Sequence, residues 1–87
     1  MTRQYILLGS LRTPITIDIH PFGDYWEFKV SHAIHTPVQI APYWTSRPFD
    51  DSPSAALRRA VAGLESYYLQ AKRLGYEPSE GWLVAAH

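Results

Sequence analysis

Ser52-Pro53-Ser54-Ala55-Ala56-Leu57-Arg58-Arg59-Ala60-Val61-Ala62-Gly63-Leu64-Glu65-Ser66-Tyr67-Tyr68-Leu69-Gln70-Ala71-Lys72-Arg73-Leu74-Gly75 reads as one long helix with both ends marked. Ser52 suits the N-cap, where a hydroxyl accepts an otherwise orphaned backbone N–H, and Pro53 suits the first helical position. Asp50 and Asp51 place negative charge by the positive end of the helix dipole. At the other end Lys72 and Arg73 fall in the last turn, Gly75 tolerates the left-handed conformation that ends a helix, and Pro78 blocks continuation. Leu57, Ala60, Val61, Leu64, Tyr68 and Ala71 share a stripe about 100° wide, the expected core face. Tyr67 and Leu74 flank it, whereas Arg58, Arg59, Ser66 and Arg73 point away, and Leu69 is a lone apolar residue on the wet side.

Everything before Ser52 reads as strand and turn. Tyr5-Ile6-Leu7-Leu8 suits a short buried strand bounded by Gly9-Ser10. Ile15 to His20 alternates, with three isoleucines on one face and Thr16, Asp18 and His20 on the other; Tyr25 to Ser31 alternates as well, with Trp26, Phe28 and Val30 together. Pro21-Phe22-Gly23-Asp24 between them has hairpin chemistry. Read as a four-residue turn, it pairs His20 with Tyr25, Ile19 with Trp26, Ile17 with Phe28 and Ile15 with Val30. That register puts Asp18 opposite Glu27, an unfavourable pair that Lys29 offsets from the diagonal.

His32 to His35 reads as a turn, and Thr36 to Ala41 as a further strand that Pro37 confines to an edge. Pro42 to Pro48 is a loop, and Trp82-Leu83-Val84 either adds a last short strand or plugs one end of the core. The expected fold is therefore α+β in one 87-residue domain. Residues 1–50 are mostly strands and turns, 52–75 the helix and 76–87 a tail. An antiparallel sheet of three to four strands packs against the one long helix of the C-terminal half. The expected core is Ile17, Ile19, Trp26, Phe28, Val30, Leu57, Val61, Leu64 and Tyr68.

Composition narrows the function. A chain of this size buries only about 60–65% of the surface its unfolded form exposes, so its stability margin is thin. There are no cysteines, which removes disulfides, thiolate zinc sites and cysteine nucleophiles and fits a reducing compartment. No apolar run approaches the roughly 20 residues that cross a bilayer, and the N-terminus lacks a signal peptide's apolar segment and cleavage site. The expected location is the cytoplasm, with no membrane association. Formal net charge is zero, without the basic excess usual in strong nucleic-acid binders, although Arg outnumbers Lys six to two. A near-neutral chain lacks strong self-repulsion, which leaves homodimerisation open.

Chemistry-bearing constellations are few. His32 and His35 have a spacing that holds a metal in a tight turn, but a site needs a third ligand, for which only His20 and Asp18 are at hand. Asp18 and His20 share a strand face, with Ser31 or Ser10 as nucleophiles to set beside them, yet no oxyanion site accompanies them. There is no Gly-x-Ser-x-Gly turn, phosphate-cradling glycine loop or His-Glu-x-x-His helix. The expectation is no catalytic residue, no metal and no cofactor.

Tyr43-Trp44-Thr45-Ser46-Arg47-Pro48-Phe49 instead concentrates the residue types enriched at binding hot spots. Phe49 is expected in the core as a staple before the cap, with Tyr43 and Arg47 at the surface and Trp44 open between the two. Arg59, Leu69 and Arg73 form a second candidate patch. The leading expectation is a non-enzymatic protein-binding module, an adaptor or inhibitor of a larger partner, using Tyr43, Trp44, Arg47, Arg59, Leu69 and Arg73. The alternative is nucleic-acid binding through the helix exterior, where Arg58, Arg59, Lys72 and Arg73 face only Glu65 as an acidic neighbour. A metal-assisted or acid–base enzyme around His20, His32 and His35 ranks last.

The second half of the chain also resembles the HicB type of antitoxin domain. The resemblance lies in Asp51-Ser52-Pro53 leading into Ala55-Ala56-Leu57, followed by Ala60, Leu64 and Tyr67-Tyr68-Leu69. It implies a helix packed on an antiparallel sheet and a small toxin protein as partner. The chain departs from that family in lacking its proline–glycine–cysteine stretch before the helix.

Overall fold

The alternating segments form the hairpin, with a tighter turn than the four residues expected. A computed structural model describes residues 2–86. In it β1 (Thr2–Ile6) pairs antiparallel with β2 (Ile15–Phe22), which pairs antiparallel with β3 (Tyr25–Val30). The turn between β2 and β3 is only Gly23-Asp24. Gly23 takes φ +60°, the first central position at which a type II′ hairpin needs glycine. Pro21 and Phe22 therefore join the ladder, and the register differs by two residues from the expected one: Phe22 faces Tyr25, His20 faces Glu27, Ile19 faces Phe28 and Ile17 faces Val30. A shift of two keeps every side chain on its face, so the three isoleucines remain inside. It also removes the Asp18–Glu27 clash. Asp18 now faces Lys29 and forms a two-pronged pair with Arg3 on β1, at 2.6 and 2.9 Å, while His20 Nε2 lies 2.9 Å from Glu27.

β4 (His32–Ile34) follows β3 almost directly, and β5 (Phe49–Asp50) pairs with β3 at Trp26 and Glu27. α1 (Pro53–Arg73), a 3₁₀ turn (Glu80–Trp82) and β6 (Leu83–Ala85) complete the order. The main sheet runs β1-β2-β3-β5, with α1 across one face, and β4 pairs with β6 in a second, two-stranded sheet. The fold is α+β, as expected. The helix ends are as read: Ser52 Oγ accepts from Ala55 N–H, and Gly75 has φ +92° after the C-cap Leu74.

Several local expectations fail. Tyr5 to Leu8 is not a buried strand. β1 ends at Ile6, which is half-buried against the core; Tyr5 and Leu7 are about two-thirds exposed, and only Leu8 is fully buried. His32 to His35 is not a turn, because β6 returns to pair with it. Thr36 to Ala41 is not a strand but a turn organised by Gln39. That side chain accepts Thr36 N–H at 2.8 Å and donates to the Ile34 carbonyl at 3.0 Å, leaving Ile40 fully exposed. Phe49 is only half-buried, with its ring 5.5 Å from Tyr25, because its backbone belongs to β5 rather than to the helix entry. Of the expected core, Trp26, Val30, Leu57 and Val61 are half-buried, while Ala56 and Ala71 are completely enclosed. Alanine in the innermost row lets the helix approach the sheet closely.

The core has two parts. One joins Ala56 and Ala60 to Ile17, Ile19 and Phe28. The other joins Leu64, Tyr68 and Ala71 to Leu8, Leu11, Ile15, Ile34 and Trp82. Trp82 thus does both things expected of the tail: it plugs the core, at 6% exposed, and leads into β6. Glu80 ties this end together by accepting Arg12 N–H at 2.9 Å, Thr13 N–H at 3.0 Å and the Thr13 hydroxyl at 2.6 Å. Those donors hold its carboxyl below the usual glutamate value.

Candidate binding cleft

The edge of β3 and β4 that faces away from β2 is only partly covered. The loop Tyr43–Pro48 runs alongside it and is pinned at two points. Phe28 N–H donates to the Pro48 carbonyl at 2.8 Å, and Tyr43 N–H donates to the Ile34 carbonyl at 2.8 Å. Between the pins the loop and the edge part. The opening is a cleft of about 500 Å³, within the range of about 300–1,000 Å³ typical of binding pockets. Phe28, Ala60 and Leu64 form its floor, Val30, His32 and Ala33 one wall, and Tyr43, Trp44, Thr45 and Pro48 the other.

Each loop residue is held by a definable contact. Tyr43 is half-buried rather than at the surface, because Gly63 leaves room for its ring: a Cβ there would lie 2.6 Å from Tyr43 Cε2. The ring also packs on Tyr67, centroids 5.1 Å apart. Trp44, left open by the sequence, is 54% exposed at the rim. Arg47 is exposed, with its guanidinium 5.6 Å over the Phe49 ring. Arg59 reaches the rim from α1 and donates to Asp50 at 3.0 Å. The Asp51 N–H, at 2.8 Å, and then Arg59 hold the Asp50 carboxyl below the usual aspartate value.

The structure therefore brings Tyr43, Trp44 and Arg59 to one cleft, with Arg47 on the same loop. It does not join Arg59, Leu69 and Arg73 into one patch. At 1.5 Å per residue Leu69 lies roughly 15 Å along the helix from Arg59, and Arg73 roughly 21 Å. Leu69 lines a separate groove of about 350 Å³ with Ile6, Leu7 and Val61, on the β1 side of the helix. The backbone walls of the cleft were illegible in the sequence, since Val30 reads there as core and His32 only as a candidate metal ligand.

The candidate catalytic and metal-binding groups are dispersed. Asp18 pairs with Arg3 and His20 with Glu27, on the outer face of the sheet. Ser31 Oγ accepts Thr16 N–H and contacts His32 Nδ1, both at 2.8 Å, while Ser10 contacts the Tyr68 hydroxyl. His35 Nε2 lies 3.2 Å from the Gln39 carbonyl. Among the described residues no three His, Asp or Glu side chains cluster as a metal site, and no helix is long and apolar enough to cross a membrane. Comparison with protein-family models, curated proteins and solved structures returns no match, so the functional argument rests on this cleft.

Proposed function

We propose that this domain is a non-enzymatic protein-binding module, an adaptor or inhibitor whose contact surface is the cleft beside Trp44. The observation that carries this reading is a half-exposed tryptophan at the rim of an apolar cleft floored by core residues. Tryptophan, tyrosine and arginine at the edge of a desolvated pocket are the residues on which binding energy concentrates. The loop is pinned at both ends, so little conformational freedom is lost on docking.

The nucleic-acid alternative has weaker support. Arg59 is engaged by Asp50, and Glu65 shares the helix exterior with Arg58, Lys72 and Arg73. That alternative requires affinity falling steeply with salt.

The test is affinity capture from native cells with wild type, Trp44→Ala and Arg47→Glu, quantified by mass spectrometry. The proposal expects a specific protein whose recovery falls sharply with Trp44→Ala. Undiminished recovery with both variants removes the loop from the function.

A further inference from the structure

Backbone polarity in the cleft says what kind of partner segment it recognises. In an antiparallel ladder, the N–H and C=O of alternate residues point to opposite edges. Ser31 N–H bonds Thr16 on the β2 side, so Lys29 and Glu27 also face β2. The even-numbered residues face the loop: Trp26 meets Asp50, Phe28 N–H meets Pro48, and the Ile34 carbonyl meets Tyr43. Between them, Val30 points its N–H and C=O away from β2, and His32 points its own away from β6, whose bonds go to the Ser31 carbonyl and the His35 N–H; among the described residues no loop group reaches either residue. The loop is one residue shorter than the edge it spans and misses them. This leaves a row of free donors and acceptors along the wall of an apolar cleft.

Charge around the cleft is equally unbalanced. The carboxylates that line the cleft and the adjoining groove are engaged, Glu27 with His20 and Asp50 with Arg59. Lys29 faces Asp18 across the ladder, whereas Arg47, on the loop, and Arg58, on the helix beside the cleft, have no ion pair among the described residues.

We infer that the cleft takes an extended peptide segment of the partner, which adds as a short strand to the Val30–His32 edge. The segment carries an apolar side chain into the Phe28–Ala60–Leu64 floor, flanked by acidic residues that meet Arg47 and Arg58. This inference rests on the protein-binding reading and adds that the partner's main chain is the recognised element. At about 3.3 Å per residue, roughly three residues touch down between the two pins, as a loop tip or a chain end does.

The test uses a displayed library of randomised linear peptides selected on the wild-type domain. Enriched sequences are expected to pair an apolar residue with flanking Asp or Glu. Their affinity should fall about tenfold on methylating the single peptide nitrogen that faces Val30, the scale of one hydrogen bond. It should fall further with Trp44→Ala, whose unchanged thermal midpoint shows that the fold is intact. In the free domain the Val30 and His32 amides should exchange with solvent faster than those of Lys29 and Ser31, and slow on peptide binding. Enriched peptides that tolerate methylation at every nitrogen, the absence of any peptide lost with Trp44→Ala, or Val30 and His32 amides as protected as their neighbours in the free domain would each overturn the inference. A native partner still lost with Trp44→Ala would then leave the protein-binding reading standing, with recognition through side chains instead.

Discussion

Along α1 the N-terminal half rests on Ile17, Ile19 and Phe28, all from the one hairpin that precedes it. The C-terminal half rests on Leu8, Leu11, Ile15, Ile34 and Trp82, which come from four separated parts of the chain. The first cluster is local in origin: two adjacent alternating strands present one apolar face, and a capped amphipathic helix covers it. The second exists only when the segment after β1, the β4 strand and the C-terminal tail converge. The difference shows that half of the interior of a small domain is assembled from segments with little pattern of their own.

The largest effects test whether the two clusters form one cooperative unit. Trp82→Ala and Phe28→Ala are each expected to cost about 3–5 kcal/mol, and Leu64→Ala about 2–5 kcal/mol, from a total of about 5–15 kcal/mol. Chemical denaturation followed by circular dichroism measures all three. A Trp82→Ala protein that melts like wild type, beside a Phe28→Ala protein that does not, would remove the tail from the core.

Next come the glycines. Gly9 has φ +56°, and a Cβ there would fall on the Tyr68 hydroxyl and ring; Gly23 has φ +60° with open space around it. Gly23→Ala should cost only the backbone strain of positive φ, about 1–3 kcal/mol, and Gly9→Ala clearly more. Equal thermal midpoints for the pair would mean that the Gly9–Tyr68 approach does not restrain the second cluster.

Thr36 sharpens the same contrast. Its side chain is buried, with a hydroxyl that lacks a partner among the described residues. Thr36→Val keeps the shape and removes a desolvation penalty of about 1–3 kcal/mol, so it should raise the denaturation midpoint. A lowered midpoint would show that the hydroxyl is satisfied in solution. At the N-terminal half, Ser52→Ala removes the cap and should cost about 1 kcal/mol by the same measurement.

Acid should act most weakly, because the carboxylates concerned are solvated. Asp18, held low first by the Arg3 hydrogen bonds, Asp50, held low first by the Asp51 N–H, and Glu80, held low first by the Thr13 hydroxyl, all have folded values below the ordinary 3.8 or 4.5. Their contribution is complete above those ordinary values and is lost as pH falls through the depressed ones. Thermal midpoints should therefore drop below about pH 4. Glu80→Gln should flatten part of that drop, and an unchanged acid profile would detach the Glu80 clamp from stability.

The candidate site divides in the same way as the core. Trp44, Tyr43 and Arg47 stood out as residue types, because aromatic rings and guanidinium groups in a loop are chemically conspicuous. Arg59 shares a helix exterior with Leu69 and Arg73, but spacing along the helix axis and the Asp50 carboxylate draw it to the cleft instead. Tyr43 has the residue type of a surface loop, and only the packed structure shows that Gly63 opens a seat for its ring. Phe28, Ala60 and Leu64 were legible as core, yet nothing local indicated that a gap in the loop would expose their far side.

Sequence alone determined the helix with its two ends, the faces of the hairpin strands and the α+β class. Each depends on backbone preferences and side-chain periodicity within a few residues. The hairpin register lies in the two-residue Gly23-Asp24 turn, which periodicity does not reveal. Tertiary structure alone decided the pairing of β4 with β6, the burial of Trp82 and the parting of the loop from the sheet edge. Those outcomes depend on which distant backbone groups find partners. A two-residue slip in register leaves every periodicity intact, and an unpaired N–H carries no signature in the side chain attached beside it.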